Sequence, residues 1–219
     1  MSAITYACVW VGPRYGKEYV EKLRNMLLRH SKGYRVRMIC LTDRDEKIEG
    51  VEMIDVSRYR LDRWWPKMIL FDPRVRGRGD TLYFDLDTVV VDRLRPLIEL
   101  ETRFGICANF TRRSGSINHP CAYGSCVMKF GDGFGLDIWN AFADSGTNIM
   151  TSCGNYGDQM AIERLHPGAT LLQDVLPPGF FVGRREFGDK VPEGASLMIF
   201  AGPEKPHTSQ HRWVKEHWK

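Results

Sequence analysis

Two acids one residue apart, Asp85 and Asp87, close the apolar run Thr81-Leu82-Tyr83-Phe84. Alternation along a strand sends both carboxylates to one side and Leu86 to the other. Two anions facing one way repel each other, and burying them is costly unless a cation lies between them. A divalent ion taken up by hard oxygen ligands, manganese or magnesium, is the simplest such cation. The competing reading is a solvated strand end whose acids enter a turn. The apolar run before the pair and Thr88-Val89-Val90-Val91 after it favour a site. Four further clusters carry chemistry-bearing residues. Tyr15 follows Trp10-Val11-Gly12-Pro13-Arg14, and Lys67 ends Trp64-Trp65-Pro66-Lys67. Gly157-Asp158-Gln159 opens a helical pattern, and Gly202-Pro203-Glu204-Lys205-Pro206-His207 follows a late apolar run. Singly, each has an ordinary explanation: a core aromatic for Tyr15, a surface charge for Lys67, an N-cap for Asp158, a turn for the Gly-Pro segment.

The elements that must position these residues alternate in type. Ala3 to Val11 reads as a buried strand, stopped by Gly12-Pro13. Gly16 to His30 carries apolar residues at Tyr19, Val20, Leu23, Met26 and Leu27, a helical period. Arg35 to Leu41, Val51 to Val56 and Thr81 to Phe84 are expected strands, with a short aromatic-faced helix from Trp64 to Phe71 before the last. Phe104 to Phe110 and Ser125 to Phe130 are read as strands, Gly135 to Ala143 and Asp158 to Leu165 as helices. Leu171 to Val175 and Ser196 to Phe200 are read as short strands, and a terminal helix is expected from Ser209. Strands alternating with helices predict an α/β fold with a largely parallel sheet. Ligands of such sheets bind at the carboxyl ends of the strands, where Asp85 and Asp87 lie.

With 219 residues, 43% of them hydrophobic and 26% charged, the chain is expected to form one domain, 1–219, with a substantial core. A net charge of +4 suits an anionic small molecule but is too weak to imply nucleic acid. The basic run Arg74-Val75-Arg76-Gly77-Arg78-Gly79 has no interleaved aromatics and reads as a solvated loop. Neither a leader pattern nor an apolar stretch of about 20 residues is present, so no membrane span is expected. The six cysteines form no Cys-x-x-Cys pair, and Cys8, Cys40 and Cys107 sit in apolar runs as small hydrophobes. A reduced, cytoplasmic setting is expected, the host cytoplasm for a phage-encoded chain.

In this order the clusters resemble the glycogenin-like retaining glycosyltransferases of GT-A fold, in particular their small bacterial and phage relatives. The resemblance rests on VWVGPRYGKEYVEKL, WWPKMILF, TLYFDLDTVVV, GDQMAIERL, IFAGPEKPH and the closing WVKEHW, which span nearly the whole chain. It implies a GT-A type domain with a Rossmann-like central sheet flanked by helices. It also implies a nucleotide-sugar donor, UDP-glucose as the first choice among UDP-hexoses, whose diphosphate is held through manganese or magnesium. Asp85 and Asp87 match the metal ligands, and Lys205, in Gly202-x-x-Lys205-Pro206, the lysine beside the phosphates. Tyr15 matches the ring near the base, and Val9 and Gly202 fall at further donor-binding positions. Lys67 matches a lysine reaching sugar and phosphates. Asp158 matches an acid gripping sugar hydroxyls, and Gln159 the residue at the reacting face of the anomeric carbon. The acceptor is left open, a glycan or a small molecule.

The chain also departs from the pattern. Asn109 stands where the family commonly has Asp, and is expected to act as a neutral sugar contact. Ser125 stands where an Asn is usual. The family's late metal-binding His is replaced at Ile199 and Ala201, which makes His207 the expected third ligand. The departures keep open a sugar-nucleotide or glycan-binding protein of this fold without turnover. Asp85-Leu86-Asp87-Thr88-Val89 also matches the first motif of haloacid dehalogenase-type phosphatases. Their later Gly-Asp-x-x-x-Asp fails here, because Ile162 follows Gly157-Asp158 at the required position.

Overall fold

The structure, a computed structural model, describes residues 3–113 and 119–219. Its strands in chain order are β1 (Ala3–Trp10), β2 (Arg35–Thr42), β3 (Glu52–Asp55), β4 (Thr81–Phe84) and β5 (Thr88–Val90), then β6 (Phe104–Ala108), β7 (Tyr123–Phe130), β8 (Thr170–Leu171), β9 (Phe181–Gly183) and β10 (Leu197–Ile199). The helices are α1 (Lys17–His30), α2 (Pro73–Arg76), α3 (Arg95–Ile98), α4 (Phe110–Arg113), α5 (Leu136–Cys153), α6 (Gly157–Leu165), α7 (Leu172–Val175) and α8 (Arg212–His217). A seven-stranded sheet runs in the order β3-β2-β1-β4-β7-β6-β8. It is parallel except at β7, which pairs antiparallel with both β4 and β6. A smaller sheet, β5-β10-β9, lies against it.

The large sheet is covered on both faces, which is why its central strands read as nearly unbroken apolar runs. Tyr6, Cys8, Trp10, Leu82 and Phe84 pack with α1, the small sheet and Trp213 of α8. Ala7, Tyr83, Ile106 and Met128 face the other way, onto a 3₁₀ helix at Trp65–Phe71 and onto α5 and α6. The two-residue alternation therefore fixes which face each side chain serves, and it places Tyr83 on the side of Lys67.

Several sequence expectations change in detail. Leu171 to Val175 is not a strand: only Thr170–Leu171 pairs, and Leu172–Val175 turns into helix, burying Leu172. The helix expected to end at Ala143 continues to Cys153, kinked at Ser145, whose φ is −130°. Trp64 to Phe71 winds as 3₁₀, and β6 stops at Ala108 because Asn109 caps α4. The solvated-loop reading of Arg74 to Gly79 fails at Arg76, which ends α2 fully buried. Its guanidinium donates to the carbonyls of Leu70 (2.6 Å) and Phe134, and burial lowers its pKa to about 10. All six cysteines are free, and among the described residues no helix is long and apolar enough to cross a membrane.

Candidate functional site

Asp85 and Asp87 occupy a turn, not a strand tail. Thr88 N donates to Asp85 O (3.0 Å), which closes the turn and sends the chain from β4 in the large sheet to β5 in the small one. Asp85 N is anchored on Cys126 O of β7 (2.8 Å). Leu86 fills the core between the sheets while both carboxylates reach one cavity of about 830 Å³. That cavity lies at the carboxyl ends of β1 and β4. Its walls are Val9 and Gly12 to Tyr15 on one side, Trp64 and Lys67 on another, and the segment Ile199 to Lys205 on a third.

Each carboxylate is matched by a lysine from a distant part of the chain. Lys67 Nζ lies 2.8 Å from Asp85 Oδ1 and 3.6 Å from Asp158 Oδ2, and donates to Ser125 Oγ at 3.2 Å. Burial opposes its charge, but Asp158 and Asp85 together hold the ammonium well above its ordinary pKa. Tyr83, on the same face as Asp85, donates to Asp85 Oδ1 at 2.5 Å. Burial raises the Asp85 carboxyl above the usual carboxylate range; Lys67 pulls it down and the Asp87 charge pushes it up. Lys205 Nζ lies 2.5 Å from Asp87 Oδ2 and also donates to Phe200 O (2.9 Å), which ties the late loop to the acid turn. Tyr15 OH donates to the same Asp87 Oδ2 (2.9 Å), and Trp10 Nε1 fixes Tyr15 through its carbonyl (2.8 Å). Burial, with Asp87 beside it, keeps the Tyr15 phenol protonated.

Most of the expected residues thus converge. Val9, Tyr15, Lys67, Asp85, Asp87, Gly202 and Lys205 line the cavity. Ser125 and Asp158 join it through Lys67, and Gln159 follows Asp158 on α6, half-buried. Two residues are placed elsewhere. Asn109 spends its side-chain oxygen on the N–H groups of Thr111 (3.0 Å) and Arg112 (3.2 Å), and its amide on Tyr123 O (3.4 Å). His207 is exposed, its Nδ1 engaged by Tyr19 OH, and it is not brought to the carboxylate pair. Among the described residues no three His, Cys, Asp or Glu side chains gather closely enough to hold an ion.

Trp64, Tyr83 and Cys126 line the cavity without having been singled out from the sequence. The signal for Tyr83 was its spacing of two from Asp85. Among the described residues, Trp64 Nε1 and Asp158 Oδ2 are both buried without a hydrogen-bond partner, although Lys67 stands near the second. Gly157, between them, has φ +62°, and a Cβ there would lie 2.2 Å from Trp64 Nε1. Gly157→Ala is therefore expected to cost about 1–3 kcal/mol from the backbone alone, with displacement of the indole in addition. A chemical-denaturation midpoint equal to that of the natural chain would contradict this.

No protein-family model matches the chain, and no curated protein matches it in sequence. Solved structures do match. The galactosyltransferase LgtC, crystallised with donor and acceptor sugar analogues, superposes with a TM-score of 0.67 at 13% identity, over 98% of this chain and 94% of LgtC. The glycosyltransferase GlyE of Streptococcus pneumoniae gives 0.64 at 14% identity, over 99% of this chain and 60% of GlyE. The bifunctional glycosyltransferase WbbM gives 0.60 at 13% identity, over 98% of this chain and 51% of WbbM. The chain has the GT-A fold that these structures share.

Proposed function

We propose that this chain is a glycosyltransferase that binds a nucleotide-sugar donor, a UDP-hexose with UDP-glucose foremost, in the cavity at Asp85 and Asp87. The observation that carries this reading is the convergence of two carboxylates and two lysines from three separate segments on one cavity at the strand ends. A sugar nucleotide needs such a mixture, because its leaving group gains negative charge as the glycosidic bond breaks.

A divalent cation fits the donor set. Lys67 and Tyr83 take Asp85 Oδ1, and Lys205 and Tyr15 take Asp87 Oδ2. The second oxygen of each carboxylate has no hydrogen bond among the described residues. Two carboxylate oxygens completed by phosphate oxygens and water suit magnesium or manganese, which need no all-protein cage. When bound, the ion would neutralise charge building on the departing diphosphate. His207 would have to give up Tyr19 to join these ligands.

The remaining roles belong to the chain's own side chains. Lys205, at the cavity wall, supplies a second positive charge to the diphosphate, and the Tyr15 ring offers the base an aromatic face. Lys67 bridges the acid turn to Asp158, so it spans phosphates and sugar. Asp158 accepts from sugar hydroxyls, and Gln159 lies toward the anomeric carbon. A double displacement needs a carboxylate nucleophile at that face. Gln159 is an amide and a poor one, so retention by front-face attack is favoured, with the leaving phosphate taking the acceptor's proton.

The deciding assay is nucleoside diphosphate release from a panel of sugar nucleotides with manganese. Binding without release would point to a non-catalytic protein of this fold, and phosphate release from phosphomonoesters to a phosphatase. Asp158→Asn and Gln159→Ala are expected to lower kcat and kcat/KM together while UDP still binds, since both serve the sugar. Loss of UDP binding by calorimetry in either variant would overturn these roles.

A further inference from the structure

A second cavity, of about 600 Å³, shares Ala201 and Gly202 with the donor cavity, and its character is different. Phe110, Phe180 and Phe181 contribute aromatic surface to its walls. Arg113, Arg184 and Arg185 line it against a single carboxylate, Glu186, which is already engaged by Gly183 N at 2.8 Å. Arg113 pairs with Asp174 at 2.8 Å, but both side chains are about half exposed, 48% and 54%. Such a surface pair contributes little and gives way readily to a better anion.

Arg184 stands at the boundary between the cavities. Its Nε donates to Ala201 O (2.9 Å), and a Cβ on Gly202 would lie 3.2 Å from that Nε. Neither of its Nη atoms makes a hydrogen bond among the described residues. A half-buried guanidinium with its fork unspent is suited to bidentate pairing with a carboxylate or phosphate.

We propose that this second cavity receives the acceptor, and that the acceptor is a saccharide carrying an anionic group, a carboxylate or a phosphate. The proposal rests on the transferase reading above. Transfer requires the acceptor hydroxyl to meet the donor's sugar, so the acceptor's cavity must open onto the donor's, as the shared Ala201–Gly202 wall provides. The aromatic rings suit the C–H face of a pyranose. The Arg184 guanidinium, with Arg113 held only by an exposed carboxylate, gives the cavity positive charge that a neutral saccharide does not use.

The test is an NMR titration of the full chain, saturated with UDP so that the donor cavity is filled, using glucose, glucuronate and glucose 6-phosphate as probes. One or both anions are expected to bind at least about tenfold tighter than glucose at low salt, a difference of ~1.4 kcal/mol. The preference should shrink as salt rises, and fall to about threefold or less in Arg184→Gln. Arg113→Gln, an exposed change, provides a second variant should Arg184→Gln misfold, and it is expected to reduce the preference in the same direction. The two anionic probes show which group is read. No preference for the anions over glucose, whether all bind or none do, overturns the proposal. So does a preference that is undiminished in both variants. Failure to bind UDP in the first step counts against the donor reading instead, which keeps the two failures apart.

Discussion

Asp85→Asn is expected to lower kcat for nucleoside diphosphate release by about two to three orders of magnitude, the scale on which one preorganised electrostatic stabiliser acts. Asparagine keeps the shape of the side chain and an oxygen that can still accept from Tyr83 and Lys67. It removes only the charge. Because the variant leaves the buried Lys67 ammonium with Asp158 alone, some loss of stability is expected, and turnover is compared at a temperature at which the variant remains folded. An intact fold with a large loss of turnover would assign the loss to chemistry. The same carboxylate predicts cation dependence: excess EDTA should abolish turnover, manganese should restore it, and magnesium should restore less. A variant turning over at the natural rate, or full turnover in excess EDTA, would sink this account of the acid pair.

The acid pair was legible because an apolar run ending in two acids is unusual without a reason, and the structure puts both at one cavity. The way they get there was not legible. Strand alternation predicts the right convergence for the wrong reason, since the chain turns at Asp85 and leaves the large sheet altogether. The small sheet was missed as a unit because β5, β9 and β10 have three residues each, too few to show a period. Lys67 looks like any lysine until its element is known to be buried from Trp65 to Phe71, which turns its ammonium onto the acids and Ser125. Arg76 fails the other way: a charge cluster suggests solvent, yet two backbone carbonyls left open by the surrounding turns draw it inside. Tyr15 and Lys205 entered the site only through the resemblance, and their contacts with Asp87, 72 and 118 residues away, leave no trace in spacing. Where that resemblance broke, at Asn109 and His207, the substitutes expected from it turn out to be engaged in capping α4 and in holding Tyr19.

Lys67→Met is expected to destabilise the fold by about 3 kcal/mol, as well as inactivating the chain. Removing one partner of a buried ion pair costs about 3–5 kcal/mol because the other charge is left uncompensated. The lower end applies here because the Asp85 side chain keeps 28% of its exposure, whereas Asp158 keeps only 6%. Methionine fills nearly the same volume, so the loss reports charge and hydrogen bonding more than packing. The effect also has a pH signature. Without the ammonium, which pulls the Asp85 pKa down, the folded-state pKa of Asp85 rises further. A carboxyl whose folded pKa lies above its unfolded value costs stability above that folded pKa, and the cost disappears as pH falls through it. The deficit of Lys67→Met should therefore be smaller at an acidic pH near the ordinary carboxylate range than at neutral pH, because protonation removes the stranded charge. Adding Asp158→Leu to Lys67→Met should recover part of the stability, since an apolar pair replaces a stranded charge, and the recovery measures the coupling between the two residues. Denaturant midpoints at the two pH values decide the matter: a deficit that is small at neutral pH, or that grows on acidification, would mean that Lys67 does not hold these carboxylates together.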